Sequence, residues 1–300
     1  MNGFLVNDRL TAIPGTKTLW GHLLDGVEGL VDLTGYPYPQ LAEVAEVMSG
    51  EFKPNYIIRN AAYFRSLNVD CPVIAFVQDI LSGPVRDMLI EACSSSRIVV
   101  FNSEYTRMMY PELHAADYRV IPVGTDDELF KPTDRDKDIP EHAVLWVGSG
   151  HHVKGFDLAC QLADESDRPW VFVMKDDSPV PVDGCLVYRS ISQERLAAIA
   201  SSCAVGVCTS REETQHLAGI EAGMCGLPLV TTNVGAYYNR ISGLWGQRSS
   251  GDWLRDMERA ATLPRDEVSN YWRVCGFGLA GCVNAWNDTV KALEAVHVNG

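Results

Sequence analysis

One feature constrains this chain most: short apolar runs alternate with turns and helix-like stretches on both sides of a single charged segment. Gly3–Val6 reads as a strand, followed by a loop through Pro14-Gly15 and a helix over 16–28. Val73–Val77 is a second apolar run, with Gln78-Asp79 at its carboxyl end. Residues 97–101 form a third, opening into a helix capped by Asn102 or Ser103, and residues 118–123 form a fourth. The pattern restarts at 143–147, which ends in Gly148-Ser149-Gly150 and leads to a helix over 155–163. Apolar runs at 170–174, 185–188, 204–208 and 228–231 follow, with helices over 193–201 and 217–224 between them. Strands this short, alternating with helices, imply parallel sheets covered on both faces.

Between the two series lies Lys131-Pro132-Thr133-Asp134-Arg135-Asp136-Lys137-Asp138-Ile139-Pro140, charged and bracketed by prolines. It reads as a linker over 134–140. The expectation is therefore two α/β domains of Rossmann-like kind, 1–133 and 141–280, with a cleft between them. A last helix over 281–300 could pack back on either, the N-terminal domain included; Trp286, Val290 and Leu293 have helical apolar spacing.

Composition sets the outer limits. With 46% apolar and 21% charged residues in 300, the chain can bury real cores, and disorder, collagen and coiled coil are excluded. No apolar stretch approaches the roughly 20 residues of a membrane span, and the start lacks the basic lead and apolar run of a secretory leader. The net charge is -14. Residues 1–140 hold 12 Lys and Arg against 20 Asp and Glu, and 141–300 hold 13 against 19, so neither half is basic and duplex DNA is a disfavoured partner. Nine cysteines, an odd number without a Cys-x-x-Cys pair, argue against a cysteine zinc site and a disulfide framework, and a reducing cytoplasm is expected.

Two places in the second half invite chemistry. In open parallel sheets, ligands bind beyond the carboxyl ends of the strands. Gly148-Ser149-Gly150-His151-His152-Val153-Lys154-Gly155 follows such a strand, and its backbone amides with Lys154 suit a diphosphate; an ordinary turn fits equally. Adjacent His151 and His152 diverge in direction, and no metal is expected there. The second place runs from Ser210 through Glu213 to Glu221 and Pro228. Eight residues of helix at about 1.5 Å each span about 12 Å, on the order of a ribose plus diphosphate. A carboxylate among Ile220, Ala222 and Met224 needs a partner, either ligand hydroxyls or a structural arginine.

At these residues the chain resembles the retaining glycosyltransferases of family 4, which have the GT-B fold. Glu213-x7-Glu221, then Ala222-Gly223-Met224-Cys225-Gly226-Leu227-Pro228 and Gly235, is similar to that family's Glu-x7-Glu block. Val147-Gly148 with Lys154-Gly155, Ile121-Pro122-Val123-Gly124-Thr125-Asp126 with Phe130-Lys131-Pro132, and Pro14-Gly15 resemble three further blocks in the family's order. The resemblance implies that Glu213 meets the donor sugar's hydroxyls and Glu221 the ribose. Lys154 would neutralise the diphosphate, with Gly15, Gly148 and Ser149 in the glycine loops on the donor. Backbone amides of Thr214, Gln215, His216 and Leu217 would hold the distal phosphate, and the base would rest near Arg189, Ser190 and Ile191. No metal is required in that family, and the donor would be a UDP- or GDP-sugar. Asp79 is an acceptor-side base or orienter.

The sequence departs from the family at several of these places. Ser149 stands where the family has an arginine, a charge that Arg211 or another arginine could replace; Thr214-Gln215-His216 stands for Gly-Phe-Gly, Val123 for an asparagine, and Gln78 for a histidine. The expected activity is metal-independent sugar transfer with retention to an acceptor hydroxyl, on a protein, modified nucleobase, metabolite or lipid carrier. The alternatives are another GT-B enzyme, an epimerase or phosphorylase, or a non-catalytic nucleotide-sugar-binding protein.

Overall fold

In the computed structural model, which describes residues 3–6, 23, 25–27, 29–32, 40–60, 66–114, 116–175, 178–179, 181–240 and 242–297, the apolar runs pair into two parallel sheets. The chain divides into two units, Met1–Gly124 with Leu279–Gly300, and Thr125–Gly278. Pro14, Gly15 and most of the helix expected over 16–28 lie outside the described residues.

The first unit holds β1 (Gly3–Val6), β2 (Leu30–Asp32), β3 (Tyr56–Asn60), β4 (Val73–Val77), β5 (Ile98–Phe101) and β6 (Tyr118–Val120), in the order β2-β1-β3-β4-β5-β6. Central strands such as β4 are buried along their whole length, as parallel strands covered on both faces must be. Ala75, Val77, Val99 and Phe101 pack on Leu89 and Cys93 of α2 (Gly83–Ser94), while Phe4, Val6 and Ile57 pack on Ala45 of α1 (Gln40–Phe52). Ser103 is the cap of α3 (Glu104–Met108), its hydroxyl accepting from the Thr106 amide at 3.0 Å. The fourth expected strand ends at Val120 rather than 123, short of Pro122, which has no amide hydrogen for a ladder.

The second unit holds β7 (Val144–Gly148), β8 (Trp170–Met174), β9 (Leu186–Arg189), β10 (Val205–Cys208), β11 (Leu229–Thr231) and β12 (Gly246–Arg248), in the order β12-β11-β10-β7-β8-β9. Side chains alternate across it. Val144 and Trp146 face α4 (Phe156–Glu165) and α7 (Trp253–Ala260); Leu145 faces α5 (Gln193–Ser202), α6 (Leu217–Met224) and α8 (Arg265–Trp272). β7 leads on one side to β8 and β9 and parts on the other from β10, so the crossovers diverge between β7 and β10.

The segment read as a linker is part of this second unit. Ile139 and Phe130 are buried. The Thr133 and Asp136 amides donate to Ser201 and Ser202 of α5 at 3.1 and 2.8 Å, and Asp136 pairs with Arg195. Asp136 and the two amides find partners on a helix some 60 residues away, which local composition does not reveal. The boundary falls instead at Thr125, whose amide bonds the Phe277 carbonyl at 2.8 Å where the chain leaves the unit again.

That exit begins α9 (Leu279–His297), which belongs to the first unit. Trp286 is fully buried and meets Phe76 edge-on at 5.4 Å, and Asn287 donates to the Gly26 carbonyl at 3.1 Å. Trp286→Ala is expected to destabilise the first unit by about 3–5 kcal/mol in urea unfolding followed by amide exchange. Unchanged protection of β4 would show that α9 is not part of that core.

Candidate functional site

The crossovers part at β7 and β10, and the loops after these strands meet there. Gly148 ends β7 directly over the Trp146 ring, where a Cβ would approach to 2.7 Å, and a Cβ on Gly150 would collide with Pro179. Gly155 is left-handed at φ 64°, and a side chain there would collide with the Thr209 carbonyl. The Thr209 hydroxyl, just past β10, accepts from Trp146 Nε1 at 3.0 Å and reaches the Gly155 and Lys154 carbonyls at 2.9 and 3.1 Å. Small residues and one hydroxyl thus bring the start of α4 against the end of β10.

This closeness pairs Lys154 with Glu213. Lys154 Nζ lies 2.6 Å from Glu213 Oε1, and the Ser210 hydroxyl donates to the same oxygen at 2.8 Å. Glu213 is only 8% exposed and Lys154 one-third, so the lysine has an open side. Roles for Lys154 and Glu213 were expected from the sequence, but none for Ser210 or Thr209. Their signal is position, two hydroxyls directly after an apolar strand.

Thr214, Gln215 and His216 follow, and α6 starts at Leu217. The Gln215 carbonyl accepts from the Ala236 amide at 3.1 Å, which fixes the loop to the turn Gly235–Tyr237 after β11. His216 is left-handed at φ 65°, and its Nδ1 lies 2.6 Å from the Tyr237 hydroxyl. Burial lowers the His216 pKa below its ordinary value, Lys154 pushes the same way, and Glu213 opposes. Tyr237 was not anticipated from sequence; it stacks on Trp245 at 5.3 Å and meets Trp272 edge-on.

Glu221 lies about one turn along α6, half-buried, and burial pushes its carboxyl up to about 7. A structural arginine as its partner is not observed among the described residues. Arg265 bonds the carbonyls of Cys203, Ala200 and Cys225, and Arg273 those of Asp127 and Phe130.

The remaining expected residues are spread along the same sheet edge or elsewhere. Ser149 is half-buried between its two glycines. Arg189, Ser190 and Ile191 follow β9; Arg189 donates to the Lys175 carbonyl at 2.9 Å, and Ser190, left-handed at φ 45°, donates its amide to Met174. Arg211 is held in a two-pronged pair with Asp157 at 2.9 and 2.8 Å and against the His152 carbonyl, which brings the Asp157 carboxyl down to about 2. It therefore does not replace the arginine missing at 149. Asp79 is in the first unit, after β4, where its carbonyl accepts from the Tyr110 hydroxyl at 2.9 Å. No group of three His, Cys, Asp or Glu side chains suited to a metal ion occurs among the described residues.

Chemically, the second unit offers a lysine, a helix N-terminus and two carboxylates. The first two attract anions; the carboxylates accept from hydroxyls.

Comparison with solved structures places this architecture. A sucrose-phosphate synthase from Thermosynechococcus elongatus superposes with a TM-score of 0.75 at 15% identity, over 99% of this chain and 100% of that one. HepE from Anabaena, solved with UDP and glucose, gives 0.70 at 14% over 97% and 100%. A glycosyltransferase from Rickettsia africae gives 0.74 at 11% over 97% and 98%. No family model matches the chain, and no curated protein matches its sequence. The chain has the GT-B fold of these glycosyltransferases. No helix among the described residues is long and apolar enough to cross a membrane.

The raised Glu221 carboxyl makes stability pH-dependent. The native state holds its proton up to about 7, whereas the unfolded chain releases it near the ordinary 4.5. Between these values the native state binds more protons, so this group's contribution to stability falls as pH rises through the window. Glu221→Gln is expected to gain stability relative to wild type at pH 8 over pH 5 in urea titrations. An equal difference at both pH values would show that the carboxyl is not shifted.

Proposed function

We propose that the chain is a glycosyltransferase that takes a nucleotide-diphosphate sugar in its second unit and passes the sugar to an acceptor hydroxyl. The contact of Lys154 with Glu213 across the ends of β7 and β10, directly before α6, carries this reading. In it Lys154 and the amides of Thr214 to Leu217 receive the diphosphate, and Glu213, fixed by Ser210, accepts from the sugar. Glu221 accepts from the ribose, and its raised pKa suits a carboxyl that waits without a cation. Gly148 and Ser149 border the phosphates, and Arg189, Ser190 and Ile191 the base. A UDP-sugar is the first candidate, since HepE is solved with UDP-glucose.

The reaction would proceed with retention. The bond from the anomeric carbon to the diphosphate oxygen breaks as the acceptor oxygen forms its bond on the same face. The acceptor's proton passes to the departing diphosphate. Lys154 and the helix N-terminus stabilise the charge that grows there, so the step does not call for a metal ion. Glu213 and Glu221 hold hydroxyls in this scheme and do not flank the scissile bond as a hydrolase pair would. Asp79, in the first unit, is an acceptor-side residue in the same reading, and the cytoplasm its setting.

Ser149 favours one second reading, a protein that binds the nucleotide sugar without turning it over. A thermal-shift panel of UDP, GDP, ADP and TDP with their sugars, followed by donor hydrolysis, separates the two. Stabilisation with slow release of diphosphate is expected for the transferase, and stabilisation alone for the binding protein. Lys154→Ala should weaken the stabilising nucleotide roughly 10- to 100-fold in calorimetry, the range for losing a charged hydrogen-bond partner. Glu221→Ala should weaken it too. Unchanged affinity in both variants sinks the site assignment.

A further inference from the structure

His216 is the residue whose conformation and contacts the donor-site reading leaves unused. A left-handed backbone at a residue other than glycine persists where its surroundings over-determine it. Here they do. Nδ1 lies 2.6 Å from the Tyr237 hydroxyl, and the ring borders the same small cavity as Val147 at the end of β7. Tyr237 is itself fixed by stacking on Trp245. Room for the pair exists because residue 219 is glycine: a Cβ there would collide with the Tyr237 hydroxyl and come within 2.5 Å of His216 Nδ1.

The structure assigns His216 the part of a positioning residue: its ring, accepting from the Tyr237 hydroxyl at Nδ1, pins the turn that carries Glu213 to Lys154 and opens α6. The importance of that pin for ligand binding rests on the donor-site reading; the pin itself does not. The ring joins the loop after β10 to the turn after β11 through one side chain. It is also the polar group bordering a small apolar cavity under α6, lined by Leu145, Val147, Val207, Ala222 and Leu229. A charged imidazolium is disfavoured against such a lining, and Lys154 opposes it further. Glu213 is the acidic group that faces the ring, and Tyr237 and Lys154 are the other titratable ones. A neutral ring whose Nδ1 accepts from Tyr237 carries its proton on Nε2.

The test uses the whole chain without ligand first. Long-range nitrogen–proton spectra of the His216 ring at pH 7 should show an unprotonated Nδ1 and a protonated Nε2; a protonated Nδ1 overturns the assignment. Amide exchange at Thr214 to Leu217 is then compared in three variants. His216→Gly and Tyr237→Phe should speed it roughly 3- to 10-fold, the loss of one neutral hydrogen bond. His216→Asn, which tolerates the left-handed backbone and sets an acceptor oxygen where Nδ1 stood, should restore most of the protection. Wild-type protection in both His216→Gly and Tyr237→Phe overturns the pin. Melting midpoints are recorded throughout, and if His216→Gly does not fold, Tyr237→Phe and His216→Asn decide.

Calorimetry with UDP completes the test. Affinity should fall in His216→Gly and recover in His216→Asn; equal affinity in wild type and His216→Gly overturns the positioning part. If the wild type shows the ring state and protection pattern but binds no nucleoside diphosphate, the donor reading fails and the pin stands.

Discussion

The parting of the crossovers between β7 and β10 is the constraint on which the second unit's chemistry depends. Parallel strands send their connecting loops to one edge, and only where successive crossovers leave in opposite directions do two loops stand apart with space between them. In this chain that space is narrowed by a single hydroxyl. Thr209 bonds Trp146 on β7 and the carbonyls that open α4, so the ends of β7 and β10 cannot drift apart without breaking several bonds at once. Gly155 is the counterpart of this closeness, since any Cβ there would strike the Thr209 carbonyl.

Within that frame, the pairing of Lys154 and Glu213 has two consequences. A lysine side chain loses considerable rotamer freedom when it is held in one place. Glu213, itself fixed by Ser210, imposes that loss before any ligand arrives. A lysine has three donors, and the contact with Glu213 uses one, so an anion can be received without breaking the pair. Pre-organisation of this kind raises affinity by lowering the ordering cost on binding.

The strands that were legible in the sequence are those whose residues are apolar throughout, such as Val73–Val77 and Trp170–Met174, because full burial in a parallel sheet leaves an unbroken run. β3 was missed because it ends in Arg59-Asn60, both buried despite their polarity, and β12 because Gly246-Gln247-Arg248 is a polar strand at the sheet edge. Glu213 and Lys154 were legible through the strand-loop-helix pattern around each. Their mutual contact was not, since it joins residues 59 apart, and neither were Thr209 and Tyr237, whose roles exist only across strand ends. The linker was misread for the same reason: the partners of Thr133 and Asp136 lie on α5.

The departures at 149 and 214–216 belong together physically. Ser149 brings no charge, and Arg211 is paired with Asp157 and bonded to the His152 carbonyl. His216 does not make up the difference, because burial and Lys154 both disfavour its charged form and Tyr237 occupies the nitrogen that would take the proton. At the start of α6, Lys154 and the amides of the turn and the first turn of the helix supply positive potential. Amides attract an anion only when they point at it, whereas a long flexible cation can follow a misplaced one. A site with fewer cations must hold its backbone more rigidly to bind equally well. A histidine that pins this backbone in a left-handed turn, where a glycine would leave it free, supplies that rigidity.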